Sequence, residues 1–330
     1  MRSNSVMRWC VGCLLWVAFS VSAETRIGFG SCFNQAKSAP IWDAIASESL
    51  DGFIFLGDNV YASRGFSEAQ LAQAYRDANQ VIPWDQLGFV AATWDDHDFG
   101  QNDGGASFSG QAISQRLFWE FFAPHTKASP AGDRGVYHAS IRQIGELQVQ
   151  IIALDTRSFR GRLKPTLVRN TPGAERYVPN PDSSQSMLGA AQWEWLEATL
   201  SKPADLRIVM SSVQILADGH GWERWGNLPH ERDRLLKLLT ERKPSQLILL
   251  SGDRHIGGAY ESEAFGERFL EFTSSGLNMA WTQATEYLPN QLGEPIREDH
   301  YAVLAINQDG FARVVWHNTR GDVITEFPIQ

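Results

Sequence analysis

Three short apolar segments, far apart in the chain, are each followed by side chains that can bind metal ions. The segments and these side chains are 52–57 with Asp58 and Tyr61, 89–94 with Asp95, Asp96, His97, Asp98, Asn102 and Asp103, and 247–250 with Asp253 and His255. Each segment has the length and composition of a buried strand. Because a parallel or mixed sheet presents functional groups at the carboxyl ends of its strands, we expect the three ends to share one polynuclear metal site.

The rest of the chain alternates short strands with amphipathic helices. Strands are predicted at 25–31, 52–57, 89–94, 206–211 and 246–250, and helices at 40–49, 67–79, 111–122, 189–200 and 230–242. A hairpin is predicted over 135–154, a long irregular loop over 161–187, and antiparallel strands over 257–273 and 300–326. This pattern predicts an α/β fold of two sheets with helices outside and no internal domain boundary.

The N-terminus has the features of a secretory signal peptide. Arg2 and Arg8 precede a short apolar stretch, 9–19, and small residues at 21–23 fit a cleavage site. The apolar stretch is too short to span a bilayer comfortably, although an uncleaved anchor helix is the alternative. We therefore predict a signal peptide at 1–23, a single domain at 24–330, and an exported protein that is periplasmic or secreted and keeps no stable membrane anchor.

The predicted mature chain is acidic. Loss of Arg2 and Arg8 leaves 27 basic residues against 38 acidic residues, a formal net charge of −11. No dense run of Lys and Arg is present. Nucleic acids and anionic membrane surfaces are therefore not expected as partners.

Cys32 is the one cysteine that follows the predicted signal peptide. It cannot form an internal disulfide, and a free thiol in an oxidising compartment is a liability unless it is buried or bonded. A small buried apolar side chain is the simplest interpretation. Because Cys32 directly follows a predicted strand, as Asp58 does, we favour a thiolate metal ligand.

Two of the strand ends have ligand spacing. Asp58 and Tyr61 are three residues apart and can converge on one cation from a tight turn. A phenol keeps its proton up to a pH of about 10, so a phenolate ligand indicates a strongly Lewis-acidic metal such as ferric iron. Asp253 and His255 are two residues apart and point the same way on an extended backbone. A core aromatic residue and a satisfied polar histidine are the alternatives for Tyr61 and His255.

The middle strand end is a run of adjacent acids, which repel each other unless cations or hydrogen-bond donors compensate. Within it, His97 is a candidate general acid for a leaving alcohol. Asn102 offers an amide oxygen to a hard cation. Further along, Arg157 either binds a phosphate or forms a structural pair with an acid.

These motifs resemble those of the PhoD-like alkaline phosphatases and phosphodiesterases, within the calcineurin-like metallophosphatase fold. The matching stretches are Gly30-Ser31-Cys32, Gly57-Asp58-Asn59-Val60-Tyr61, Trp94-Asp95-Asp96-His97-Asp98, Leu154-Asp155-Thr156-Arg157 and Ser251-Gly252-Asp253-Arg254-His255. The resemblance implies a four-layer αββα sandwich of two mixed sheets.

The resemblance also implies a metal-ligand set. Ferric iron would be held by Cys32, Asp58, Tyr61 and His255. One or two calcium ions would be bound by Asp58, Asn102 and Asp253, with Asp58 bridging. Zinc, manganese or magnesium are the alternative divalent metals. Gln101 precedes Asn102, and either residue is a candidate for the amide ligand.

Together these features predict an exported metal-dependent phosphoric ester hydrolase, in which a metal-activated hydroxide attacks phosphorus. The predicted catalytic residues are Asp96, His97 and Arg157, with His97 protonating the leaving oxygen. The expected substrates are small-molecule or lipid phosphate esters. Two alternatives stay open: a phospholipase-like phosphodiesterase, and a non-catalytic exported metal-binding protein that retains the fold.

Overall fold

The computed structural model describes residues 24–62, 65–242, 246–286, 288–307 and 311–329. The predicted signal peptide therefore lies outside the described residues. Within the described part of the chain, no helix is long and apolar enough to cross a membrane.

The first sheet has six strands. In spatial order they are β15 (Val323–Ile329), β14 (Ala312–Asn318), β13 (His300–Ile306), β1 (Thr25–Gly30), β2 (Gly52–Leu56) and β3 (Phe89–Thr93). β1, β2 and β3 are parallel, and β13 runs antiparallel to β1. The carboxyl ends of the three parallel strands therefore meet at one edge of the molecule.

The second sheet has seven strands. In spatial order they are β12 (Gln291–Ile296), β10 (Gly257–Ala264), β11 (Glu267–Ser274), β9 (Gln246–Ser251), β8 (Leu206–Ser211), β5 (Leu147–Ala153) and β4 (His138–Ile144). β11, β9, β8 and β5 form its parallel centre, and the other strands are antiparallel to their neighbours.

Helices cover the outer faces of both sheets. The helices are α1 (Ile41–Ala46), α2 (Glu68–Val81), α3 (Asp96–Phe99), α4 (Gln111–Phe122), α5 (Gly189–Leu200) and α6 (Pro229–Glu241). The apolar faces of α1, α2 and α4 pack on the first sheet, where Phe53 and Phe55 of β2 meet Trp42 of α1. α5 and α6 pack on the second sheet.

The two sheets face each other across a shared apolar core. Alternate residues of a strand point to opposite faces, so Ile27 and Phe29 of β1 enter this core while the outward residues of β2 meet the helices. Ile151 of β5 and Ile208 of β8 approach from the opposite sheet. The predicted four-layer αββα arrangement of two mixed sheets is thereby confirmed.

Some local predictions were wrong. β12 was not predicted, because its Gly293 and Pro295 are typical of loops and are tolerated here at a sheet edge. No helix was predicted in the acidic run, but its residues Asp96–Phe99 form the four-residue helix α3. The predicted loop 161–187 contains two two-residue strands, β6 (Lys164–Pro165) and β7 (Tyr177–Val178).

Candidate metal centre

The strand ends of both sheets converge at one edge. The amides of Cys32 and Phe33, after β1, donate to the carbonyls of Gly57 and Asp58, after β2. A bridge between Ser31 and Ser275 joins this edge to the end of β11 in the second sheet. Hydrogen bonding between the strand-end loops therefore brings together residues that are more than 200 positions apart in the sequence.

Several candidate ligands share an uncommon backbone conformation. Cys32, Asp58, Asp103, Asp253 and His255 all have left-handed φ angles, between 48° and 65°. Non-glycine residues rarely adopt this region, and such strain tends to cluster where surrounding structure fixes a functional geometry. The conformation turns each chain sharply after its strand, so that the side chains point inward at the shared edge.

The first ligand group contains Cys32, Asp58 and His255, whose ligand atoms lie within 4.8 Å of one another. The Cys32 Sγ atom is 3.7 Å from Asp58 Oδ2. The Tyr61 hydroxyl donates to the same carboxylate oxygen at 2.8 Å and lies 3.4 Å from His255 Nε2. All four residues predicted to hold iron are therefore in mutual contact.

Burial disfavours the charged forms of the acidic groups in this set. Burial, reinforced by the nearby Asp58 carboxylate, raises the pKa of Cys32 and of Tyr61 well above their ordinary values. The pKa of Asp58 is raised in the same way by burial and by the neighbouring Asp96. A bound cation would reverse this balance and favour the thiolate, phenolate and carboxylate forms. The donor set therefore fits a metal ion.

The second ligand group contains Asp58, Asp96 and His97. The His97 amide donates to Asp58 Oδ1 at 3.1 Å, so the two oxygens of Asp58 face different groups. The His97 ring packs against the Tyr61 ring in a tilted arrangement with centroids 4.1 Å apart, and its Nε2 is 3.9 Å from Asp96 Oδ1. Its side chain is 33% exposed and borders the open cavity described below.

Asp253 and Asn102 complete the predicted ligands. Neither an ion pair nor a hydrogen bond engages the Asp253 carboxylate within the described ranges, and burial together with Asp95 and Glu223 raises its pKa well above the usual value. Asn102 is exposed and donates to Asp103. Both residues line the cavity above the ligand groups, whereas Gln101 does not. Which amide ligates stays a prediction.

A third acidic group was not predicted from the sequence. It contains Asp96, Asp103 and Glu223, whose carboxylate oxygens also lie within 4.8 Å of one another. Asp103 belongs to the acidic run that follows β3. The number of acids in that run was the available sequence signal for Asp103. Glu223 follows β8 in a segment rich in Gly and Trp, 218–226, and its sequence has no ligand spacing that could have identified it.

Arg157 lies beneath the acidic groups. Its side chain is fully buried, and its guanidinium contacts Asp95 at 2.6 Å and Glu223 at 2.7 Å. Arg160 contacts the other oxygen of Glu223 at 2.8 Å. Of the two roles that the sequence left open for Arg157, these contacts fit the structural pair with an acid. Direct binding of phosphate by Arg157 stays a prediction.

Asp98 anchors the acidic run to the neighbouring strand end. Its buried carboxylate accepts hydrogen bonds from the amides of Asn59 and Asp95 and from the Tyr75 hydroxyl. It also completes a capping box with Asp95 at the start of α3. Burial raises the pKa of Asp98 to about 7 despite these donors. The loop after β3 is thereby fixed against the loop after β2.

A cavity of about 390 Å³ opens above the ligand groups. Its cationic side chains are Lys37, Arg176 and Arg254, and Trp222 and Trp281 form an aromatic wall with ring centroids 5.7 Å apart. Trp222 belongs to the segment 218–226, which is rich in Gly and Trp. The cavity therefore combines acidic ligand groups on its floor with positive charge at its sides.

Two mixed sheets carrying ligand-bearing loops at one edge define the metallophosphatase fold. A solved structure of PhoD superposes with a TM-score of 0.65 and 17% identity, covering 92% of this chain and 68% of that one. The purple acid phosphatase PPD1 from yellow lupin (Lupinus luteus) seeds superposes with a TM-score of 0.60 and 13% identity, covering 94% of this chain and 54% of that one.

A sequence model of the family described as PhoD-like phosphatase matches residues 68–327. The chain belongs to the PhoD-like phosphatase family. It is 22% identical over 291 residues to alkaline phosphatase D of Bacillus subtilis (strain 168), which covers 70% of this chain. The chain spans 48%, about half, of the length of that curated relative.

Proposed function

We propose that this chain is an exported metal-dependent phosphoric ester hydrolase that acts on small-molecule or lipid phosphate esters. The observation that carries the proposal is the position of Asp58. Asp58 belongs to both ligand groups, with Cys32 and His255 in one and with Asp96 and His97 in the other. A carboxylate shared in this way suits two adjacent cations, the arrangement used by many phosphoester hydrolases. Export rests on the N-terminal sequence alone.

The chemistry of the donors suggests which metal each group would hold. Thiolate, phenolate and imidazole donors from Cys32, Tyr61 and His255 suit ferric iron. Oxygen donors from Asn102 and Asp253 suit calcium or another hard divalent cation. When bound, such ions supply an acidified water and a Lewis acid for the phosphoryl oxygens.

The protein's own residues would position the ester and move the proton. His97 borders the cavity and would donate a proton to the leaving oxygen, with Asp96 beside it to orient the imidazole. Lys37, at the side of the cavity, would attract the phosphate into a chain whose overall charge is negative, whereas Arg176 and Arg254 are paired with Asp103 and Glu286. Arg157 would act indirectly, by holding Asp95 and Glu223 in place.

The catalytic proposal is tested by removing the shared carboxylate. Asp58→Asn and Asp253→Asn should each lose metal and turnover of p-nitrophenyl phosphate and bis(p-nitrophenyl) phosphate while remaining folded. Asp77→Asn is the matched control, because Asp77 is on α2 and contacts Gln73 outside the site. Near-normal turnover in a folded Asp58→Asn protein would contradict the proposal. A wild-type protein that binds metal without hydrolysing either ester would instead support the non-catalytic alternative.

The iron assignment has its own test. A thiolate and a phenolate on ferric iron should give the natively exported protein a visible charge-transfer band. Cys32→Ser should shift or abolish this band together with most of the activity, as measured by absorption and elemental analysis. A colourless, iron-free native protein with full turnover would refute iron and leave the hydrolase proposal intact.

A further inference from the structure

A second and larger cavity, of about 710 Å³, lies beside the metal cavity. The two cavities share Asn102, Asp103 and Arg176 as lining residues. One wall of the second cavity comes from residues 101–107, after α3, and another comes from the long segment 161–187. A molecule bound at the metal centre could therefore extend past Asp103 and Arg176 into this space.

The lining of the second cavity is strongly basic. Its charged side chains are one carboxylate, that of Asp103, and four guanidinium groups, those of Arg160, Arg162, Arg169 and Arg176. The whole chain, by contrast, has 38 acidic residues against 29 basic ones. A basic concave surface on an acidic protein concentrates positive potential at one place. We refer to this space as the arginine cavity.

Two of the four arginines already have partners. Arg160 contacts Glu223 and the carbonyls of Asp103 and Gly104. Arg176 contacts Asp103 at 2.9 Å, and the Tyr177 hydroxyl donates to the same carboxylate at 2.7 Å. The single acid of the cavity is therefore occupied, and it neutralises the arginine nearest the metal cavity.

The guanidinium groups of the other two arginines are unpaired within the described ranges. Arg162 and Arg169 are exposed, and within the ranges that the structure describes no carboxylate or carbonyl contacts either guanidinium. A guanidinium group presents a planar fork of donors that matches the two oxygens of a phosphate or carboxylate. Both line the second cavity and neither lines the metal cavity, so together they offer an anion site outside the metal centre.

We propose that the arginine cavity binds a second anionic group of the substrate. The inference rests on the proposed hydrolase function and narrows its substrate class to phosphate esters that carry a further phosphate, phosphonate or carboxylate beyond the bond that is cleaved. Arg162 and Arg169 contact this distal group, and the segment 161–187 acts as the specificity element. The reacting phosphoryl group stays in the metal cavity.

The test compares two chromogenic diesters that differ only in the far group. The substrates are p-nitrophenyl hexyl phosphate and p-nitrophenyl phosphonohexyl phosphate, whose phosphonate cannot be hydrolysed. The metal-loaded wild-type protein should show a kcat/KM about tenfold higher for the phosphonohexyl ester, chiefly through a lower KM, because of the added charge-assisted contacts. Raising the ionic strength should reduce this preference, since both arginines are exposed.

The double variant Arg162→Gln/Arg169→Gln should remove the preference while leaving kcat/KM for the hexyl ester unchanged. Arg320→Gln is the control, because Arg320 is an exposed arginine outside both cavities, paired with Asp322. Hydrolysis of both esters at equal efficiency by the wild type, or a preference that survives in the double variant, would overturn the inference alone. Failure to hydrolyse these two diesters while p-nitrophenyl phosphate is hydrolysed would likewise overturn the inference alone, and failure on all three esters would overturn the proposed function on which it depends.

Discussion

Asp58 illustrates how much a single residue contributes at this site. It is buried, its φ angle of 48° is left-handed, and its two oxygens face different neighbours. The sequence could identify it because an Asp after an apolar strand, followed by Tyr61 three residues later, is an interpretable spacing. Asp103 and Glu223 could not be identified in this way, because their proximity to Asp96 depends on how distant loops fold back.

At the same scale, His97 should show its role through the leaving group. A positioned proton donor contributes about 10²–10⁴ in rate, so His97→Ala should lose this much with an alkyl ester, whose alkoxide needs the proton. The loss should be small with a p-nitrophenyl ester, because nitrophenolate leaves unaided. Steady-state rates on both esters at matched metal content provide the measurement. Equal losses would mean that His97 orients the site or binds phosphate.

The buried Arg157 gives a prediction about stability. Arg157→Gln leaves the Asp95 carboxylate without its ion pair and Glu223 with Arg160 alone, and breaking one side of a buried ion pair costs about 3–5 kcal/mol. The midpoint of urea unfolding should fall accordingly. Arg116→Gln, which removes an exposed pair with Glu68 and Glu120, should leave the midpoint nearly unchanged. Lost turnover with an unchanged midpoint in Arg157→Gln would favour direct phosphate binding instead.

At the scale of elements, the turns that end the parallel strands set the geometry. The strands predicted to precede Cys32, Asp58 and Asp253 are all present. They could be predicted because continuous apolar runs bounded by Gly or polar residues are a strong local signal. Helix α3 was missed because a four-residue helix leaves no periodic pattern. Its capping box could be recognised only in the structure, where Asn59 and Tyr75 also contact Asp98.

A substitution at Gly57, in the turn after β2, tests this geometry. Its φ is +101°, and an added Cβ would lie 2.6 Å from the Asp95 Cβ. Gly57→Ala should therefore destabilise the protein by more than about 2 kcal/mol and reduce metal affinity by displacing Asp58. Gly145→Ala is the control, since Gly145 also has a positive φ but its Cβ would meet open space. The measurements are the unfolding midpoint and the metal affinity of both variants. Equal midpoints and equal affinities in the two variants would contradict the prediction.

At the scale of the whole molecule, the two sheets share one core, so the site depends on the stability of both. The sequence could predict the layers because strands and helices alternate, but it could not predict that α4 covers the first sheet while α5 and α6 cover the second. That choice depends on which faces of the sheets remain apolar after they pack against each other. The fold therefore couples loops from both sheets into one site.

Buried neutral histidines should oppose folding in acid, whereas a buried acid with a raised pKa, such as Asp98, acts in the opposite direction. Burial lowers the pKa of His300 to about 4, from 6.5, and it also lowers the pKa of His138 and His220. Because the unfolded chain binds the proton first, the contribution of His300 to stability is complete above about pH 6.5 and is lost as the pH drops towards 4, by up to about 3 kcal/mol.

The slope of unfolding free energy against pH measures this effect. Urea unfolding between pH 4 and pH 6.5 should give a less positive slope for His300→Gln than for the wild type, because the variant has no imidazole to protonate at this position. An identical slope in both proteins would show that His300 is not the group responsible. Activity is not needed for this measurement.

Cys32 has a fully buried side chain at the junction of the two sheets, and the chain from residue 24 onward has no other cysteine. A thiol reagent can reach it only when the strand-end loops separate. The rate of alkylation therefore reports how often the closed centre opens, at a single atom and without any engineered label. A bound cation that holds the loops together would slow this rate. The thiol that is proposed as a ligand therefore also reports the rate at which the site opens.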